Sequence, residues 1–263
     1  MRWERGHVAL CLGLIWLSVG PISASANDQG AREIVDRASR LLIGKRSTVA
    51  TMEMQITKQD FQRKIAIKFW SLGSSHILIR IDRPPEDAGS AILKVGNKIW
   101  CYLPKVNRTV EISPSTMMTS FMGSNFTLDD LVKQSRLADD YVITASFEEQ
   151  RDGVAVSEYT LTPKPAAVVV WGKIILEIRQ ADRMPVRQRY YDEDGKLVRG
   201  LTFSEYKSVS GRLVPMRLVM QSMDKSGEQA VEEATITIER IIFDLPMAAD
   251  KIFSLQHLKH LKQ

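Results

Sequence analysis

The sequence predicts an all-β dominated fold with few helices, an incompletely closed antiparallel β-barrel of roughly eleven strands covered by short helices. Three observations lead there. From Thr48 onward, apolar and polar residues alternate with a period of two over most of the chain, as in strands with one buried and one wetted face. The alternating runs are separated by short turns containing Gly, Pro, Asn and Asp, which join consecutive strands into meanders. Helical spacing occurs only near the start, in the middle and at the end, so helices are the elements left to cover the mouth of a curled sheet.

The first 26 residues have the layout of an export signal. Arg2 and Arg5 give a positive start, Val8 to Val19 an apolar run, and Ala24-Ser25-Ala26 a small-residue cleavage site, so the mature chain is expected to begin near Asn27. The apolar run is short for a membrane span. Leu10 precedes Cys11 where lipid attachment would need a small residue. The expected organisation is therefore a signal peptide over 1–26 and one domain over 27–263, located in the periplasm. With Cys11 removed, Cys101 stands alone and no intrachain disulfide can form.

Ala31 to Leu42 places Ile34, Val35, Ala38, Leu41 and Leu42 at helical spacing, an amphipathic helix lying on an apolar surface. The period then switches to two. Met52, Met54 and Ile56 alternate with polar residues, as do Ile65, Ile67 and Phe69, then Ile77, Ile79 and Ile81. These three faces are expected to line the interior. Arg83-Pro84-Pro85-Glu86-Asp87 is a stiff loop. Ser90 to Val95 and Lys98 to Leu103 pair across Gly96-Asn97, and Thr109 to Ile112 follows a turn.

Then the pattern changes. Ser113 can cap a helix beginning at Pro114 and ending at Gly123, with Met117, Met118, Phe121 and Met122 on one side. Such a Met/Phe face suits an apolar partner of variable shape, and these four residues are the expected lid. Thr127 is expected to cap a second short helix carrying Asp129 and Asp130 in its first turn. The β pattern resumes over Tyr141 to Glu148, Val154 to Thr162, Lys173 to Arg179, Val186 to Asp192, Leu197 to Lys207, Leu213 to Met223 and Ala230 to Phe243. Asp194-Gly195 is read as a plain turn, because the later ligands of a calcium loop are missing. A partly helical tail, Asp250 to Gln263, ends the chain.

Motifs for catalysis are missing. There is no Gly-x-Ser-x-Gly elbow, His-Glu-x-x-His, phosphate loop or dinucleotide fingerprint, so no enzyme, cofactor or metal is expected. His257 and His260, with no third ligand nearby, read as a solvated tail. Asp139-Asp140 and Glu148-Glu149 read as solvated strand ends rather than an acid–base pair. The net charge of +5, with both signs interspersed, suits a soluble surface. Trp100, Tyr102, Lys105 and Arg108 interleave aromatic and basic character, a pattern that can mark a nucleic-acid surface. An exported chain makes that partner improbable, and the four residues are expected to face a protein partner instead.

The export signal, the early amphipathic helix, and the block GSAILKVGNKIWCYLPKVNRTVEIS followed by MMTSFMGSNFTLDDL resemble the outer-membrane lipoprotein-sorting proteins, the LolA-like carriers. The likeness covers most of the mature chain in its order of elements, with the specific wording between Pro84 and Lys133. It implies a LolA/LolB-like unclosed barrel whose helices lid a cavity that shields acyl chains. The partners it implies are lipid or lipoprotein acyl chains, an inner-membrane transporter or permease and an outer-membrane acceptor, with the protein acting as a monomer. It further implies a lid held shut by an arginine on a barrel strand. Arg80 alternates away from Ile79 and Ile81, so that role is assigned to no residue. The rival reading is an accessory or sensor subunit of the same fold, docked to a permease or envelope-stress regulator through the surface around Trp100. A hydrolase acting on envelope lipids would need a nucleophile and base that the sequence does not show.

Overall fold

The computed structural model describes residues 24–44, 46–133, 137–151, 153–167 and 169–260. Most of the expected export signal therefore lies outside the described residues. The first element, α1 (Ala24–Ser39), starts earlier than the helix expected from Ala31 and gives way to a turn at Arg40. Its Ala31, Val35 and Ala38 are buried in the main core.

Five strands follow α1 in a meander, joined by tight turns except for the loop 84–90: β1 (Ser47–Lys58), β2 (Phe61–Leu72), β3 (His76–Arg83), β4 (Ala91–Val95) and β5 (Lys98–Leu103). After β6 (Arg108–Glu111) come two short helices, α2 (Leu128–Lys133) and α3 (Leu137–Asp140). The second run is β7 (Tyr141–Arg151), β8 (Val154–Pro163), β9 (Lys173–Arg179), β10 (Pro185–Tyr191), β11 (Leu197–Val209), β12 (Arg212–Met223) and β13 (Ala230–Phe243). The helices α4 (Ala249–Ile252) and α5 (Leu255–His260) end the described chain. The thirteen strands form one antiparallel sheet, against the roughly eleven expected, and each corresponds to one of the alternating segments in the sequence.

The strand order is β6-β5-β4-β3-β2-β1-β13-β12-β11-β10-β9-β8-β7. Every strand pairs with its chain neighbours except β6 and β7, which do not pair with each other. β1 pairs with β13, joining the two meanders at the centre of the sheet. β6 and β7 are the free edges, and within the connection between them residues 112–133 lie over the inner face. The β11–β12 hairpin shows how locally the turns are set: Ser210 and Gly211 both have positive φ, 51° and 75°, as a two-residue turn compatible with strand twist demands.

The alternation read in the sequence is the alternation of burial. Met54, Ile56 and Ile65 have no exposed surface, each worth about 1.5–3 kcal/mol of hydrophobic stabilisation. They belong to the large inner cluster together with Leu161, Leu176 and Leu201 from the other meander. The outer face is not wholly wet. A second cluster sits there, in which Phe253 and Leu258 of the C-terminal segment cover Leu78, Leu93 and Tyr102. This corrects the reading of the aromatic surface. Tyr102 is fully buried, its hydroxyl donating to Asn107 Oδ1 at 3.0 Å, and Trp100 packs half-buried beside it. Only Lys105 and Arg108 of the expected partner surface are exposed.

On the same side of the sheet, Glu158 and Glu177 face each other across β8 and β9 and are almost completely buried. Like charges directly opposite repel, and two arginines offset this. Arg189 donates to Glu158 at 2.8 Å and to Glu177 at 2.9 Å, while Arg151 reaches Glu158 at 3.2 Å and also bonds Glu177.

The outer cluster yields a stability test. Phe253→Ala removes a ring that is 5 % exposed and is expected to cost about 3–5 kcal/mol. Urea denaturation measures the loss, and acrylamide quenching should show Trp100 newly accessible.

Candidate functional site

The site is built where residues 112–133 lie over the inner face. The expected helix from Pro114 to Gly123 is absent. Instead a single 3₁₀ turn, Pro114–Thr116, leads into tight turns and an isolated bridge between Ser120 and Thr127. Hydroxyl side chains explain why. Thr116, Thr119 and Ser124 donate to the carbonyls of Ser113, Thr116 and Phe121 at 2.9, 2.7 and 2.7 Å, competing with helical bonds for the same acceptors. Ser113 makes no side-chain cap, and Met122 takes a positive φ of 55°.

The apolar residues of this segment still divide by depth. Met117 and Phe121 are buried in the inner cluster, Met122 packs partly against it, and Met118 is half-exposed. Phe126, 1 % exposed, goes deepest of all and was not singled out in the sequence.

The helix α2 forms as its cap predicts. Thr127 N–H donates to Asp130 Oδ2 at 2.8 Å, and Asp130 N–H donates back to Thr127 Oγ1 at 3.2 Å, a reciprocal capping box. Lys94 of β4 donates its ammonium to the Val132 carbonyl at 2.9 Å, satisfying a carbonyl at the helix C-terminus.

Asp130 also carries the interaction that pins this segment to the barrel. Arg199 of β11 donates Nη1 to Oδ2 and Nη2 to Oδ1, both at 2.7 Å, a bidentate pair in which both side chains are more than nine-tenths buried. The guanidinium lies 4.4 Å from the Trp171 ring centroid and 4.3 Å from that of Tyr190, in cation–π contact with both. Burial pulls the Arg199 pKa down, but the facing Asp130 carboxylate outweighs it with Tyr190's help, so the pKa rises and the group stays charged. Burial likewise pushes the Tyr190 and Tyr141 phenols up. Asn125 adds neutral ties, its amide donating to the Met220 carbonyl at 2.9 Å and the Glu232 carbonyl at 3.2 Å.

Arg199 was missed by motif reasoning, yet a signal was present. It shares a strand phase with Leu201 and Phe203, so a charge sits on the apolar face. Arg80 lies on the outer face beside Trp70 and pairs with Asp82 at 2.8 Å.

Two hollows lie beneath the segment. An apolar cavity of about 70 Å³ is lined by Met52, Ile67, Phe69, Ile77 and Ile79, with Phe126, Leu131 and Val132 of the crossing segment on one side and Leu218 and Ile236 on another. The other four residues of the expected lining, Met54, Ile56, Ile65 and Ile81, are packed in the same core. A larger hollow of about 320 Å³ lies below Met117 and Met118, walled by Trp171, Tyr141 and Tyr190. Cys101 is half-buried, and burial pushes its thiol pKa up. Among the described residues no three metal-ligating side chains converge.

An unclosed antiparallel sheet with helices and turns crossing its mouth over an apolar interior is the LolA-like architecture, and solved structures share it. A DUF1329 family protein from Desulfovibrio piger superposes with a TM-score of 0.77 at 20 % identity, covering 88 % of this chain and 99 % of that one. A candidate outer membrane lipoprotein-sorting protein domain from Vibrio parahaemolyticus gives 0.75 at 22 % identity, covering 89 % and 100 %. A LolA superfamily protein from Nitrosomonas europaea gives 0.70 at 21 % identity, covering 86 % and 98 %. No curated protein matches the sequence. Residues 73–260 match a protein family whose description reads "Uncharacterized protein", and the chain belongs to that family.

The ion pair yields a thermodynamic test. Arg199→Leu leaves the Asp130 carboxylate buried without its partner and is expected to cost about 3–5 kcal/mol. Adding Asp130→Leu should recover much of that loss, so the double-mutant cycle in urea reads the coupling directly.

Proposed function

We propose that the chain is a periplasmic, non-enzymatic carrier, processed near Ala26 and working as one domain over residues 27–263. It would hold acyl chains of a lipid or lipoprotein against the inner face of the sheet. The observation that carries this reading is the apolar cavity whose ceiling, Phe126 with Leu131 and Val132, is pinned to the barrel by the Arg199–Asp130 pair. Ligand pockets typically measure about 300–1,000 Å³, so the 70 Å³ cavity belongs to a closed form. Moving residues 117–132 outward would remove that ceiling and join the cavity to the hollow under Met117. Methionine and phenylalanine make contacts without fixed direction, so the same segment can re-pack over a chain of another length.

The energetic reason for such a carrier is simple. Each methylene kept from water is worth about 0.8 kcal/mol, so an acyl chain crosses an aqueous space only when sheltered. The lipoprotein-sorting description of the Vibrio parahaemolyticus domain supports the same reading. An inner-membrane transporter would load the carrier and an outer-membrane acceptor would unload it. The accessory-subunit reading loses its main support, because Tyr102 is buried and Trp100 half-covered by the C-terminal segment.

The test is ligand occupancy. Native mass spectrometry of gently purified protein should show a bound acyl species, and a fluorescent fatty acid should be taken up. Ile236→Phe, which fills the cavity, is expected to weaken uptake about tenfold while costing about 1–3 kcal/mol of stability. An empty protein with no uptake would overturn the carrier reading.

A further inference from the structure

At the end of the barrel where α1 gives way to β1, a cleft of about 570 Å³ is lined by Arg37, Arg40 and Arg212, and none of the described residues lining it is a carboxylate. It adjoins the apolar cavity directly, because Ile43 lines both. Two glycines also line the cleft: Gly73 has open space where a side chain would stand, and Gly44 packs so closely on the backbone that a Cβ would lie 2.1 Å from the Ser47 carbonyl oxygen.

The three arginines are unequally committed. Arg40 is bonded to Asp36 at 2.8 Å, one turn back on α1. Arg37 is exposed and has no ion-pair partner among the described residues. Arg212 is held in place, donating Nη2 to the Ile43 carbonyl at 2.8 Å and lying 4.2 Å from the Phe243 ring centroid. Its Nη1 is buried with no acceptor among the described residues, a shortfall costly for a cationic donor. The neighbouring Asp244 carboxylate accepts from the Arg46 N–H at 2.7 Å and also feels the Arg212 charge, so it offsets part of the positive field there. At the opposite end of the barrel the β10–β11 and β12–β13 turns are net acidic, carrying Asp192, Glu193, Asp194, Asp224 and Glu228 against Lys196 and Lys225.

We propose that this cleft receives the anionic headgroup, a phosphate or carboxylate, of the amphiphile whose chain passes Ile43 into the cavity. The proposal rests on the carrier reading and adds to it the chemical class of the cargo. Guanidinium groups suit it because they donate in a planar fork to phosphate or carboxylate oxygens. The shared residue Ile43 sets the order of parts: charge outside, chain inside.

Calorimetry on the full chain separates the possibilities with three probes: 1-palmitoyl lysophosphatidylglycerol, monopalmitoyl glycerol, and inorganic phosphate. The anionic lipid is expected to bind about tenfold more tightly than the neutral one, the equivalent of one charge-assisted hydrogen bond. Arg212→Gln and, independently, Arg37→Gln should shrink that preference severalfold and leave the neutral lipid's affinity unchanged. Arg37 lies at an exposed helix end, so its variant stays informative should Arg212→Gln fail to fold. Equal affinities for the two lipids, or a preference that survives Arg37→Gln, would overturn the proposal while leaving the carrier reading intact. Inorganic phosphate binding as tightly as the anionic lipid would make the cleft a free-anion site and overturn it too. If neither lipid binds, the carrier reading falls and the headgroup proposal falls with it.

Discussion

A guanidinium with 3 % of its residue surface exposed is tolerable only while its charge is answered. In this fold one carboxylate answers it, and that carboxylate belongs to the segment crossing the open side of the sheet. The arrangement around Arg199 follows from that constraint. Trp171 and Tyr190 supply electron-rich faces, Asp130 both its oxygens, and Thr127 fixes the carboxylate through the capping box. Pulling the crossing segment away would strand two charges in apolar surroundings unless water or a ligand came in with the movement. A buried pair of this kind gains little net stability over apolar packing. What it contributes is a definite closed position with a definite cost of leaving it.

The topology explains why that segment stands where it does. Thirteen antiparallel strands in two meanders leave two edges, and the edges are consecutive in the chain. Strand order requires a connection from one edge to the other, and the burial of Met117, Phe121 and Phe126 in the inner cluster is what lays it over the interior. Side chains then decide how firmly it lies: Phe121 and Phe126 by burial, Asn125 by bonds to two carbonyls, and Lys94 by holding the end of α2.

Much of this was readable from residue order. The period of two identifies the strands because each side chain must choose a face, and β9 and β13 begin and end where that alternation does. The capping box at Thr127 was legible for the same local reason. Three features were not. The Met/Phe stretch has helical spacing, yet its hydroxyls capture the carbonyls a helix would need, a competition that spacing alone does not reveal. Alternation groups Trp100 with Tyr102 but is silent on whether a distant segment covers that face, and here residues 249–258 do. Arg199 belongs to no motif. Its meaning comes from a carboxylate sixty-nine positions away, and the only local hint is its apolar strand phase.

The pairing of β1 with β13 has a different kind of consequence. Each meander is made of contacts between sequence neighbours, whereas this seam brings together Thr48 and Phe243, nearly the two ends of the described chain. Loop-closure entropy makes such a pairing slow compared with hairpins. The half-sheets can therefore assemble early and independently, and the midline joining them waits until the final strand is free. An unfinished chain would consequently present two exposed ribbons, which places the risk of wrong association at the middle of the sheet during its assembly.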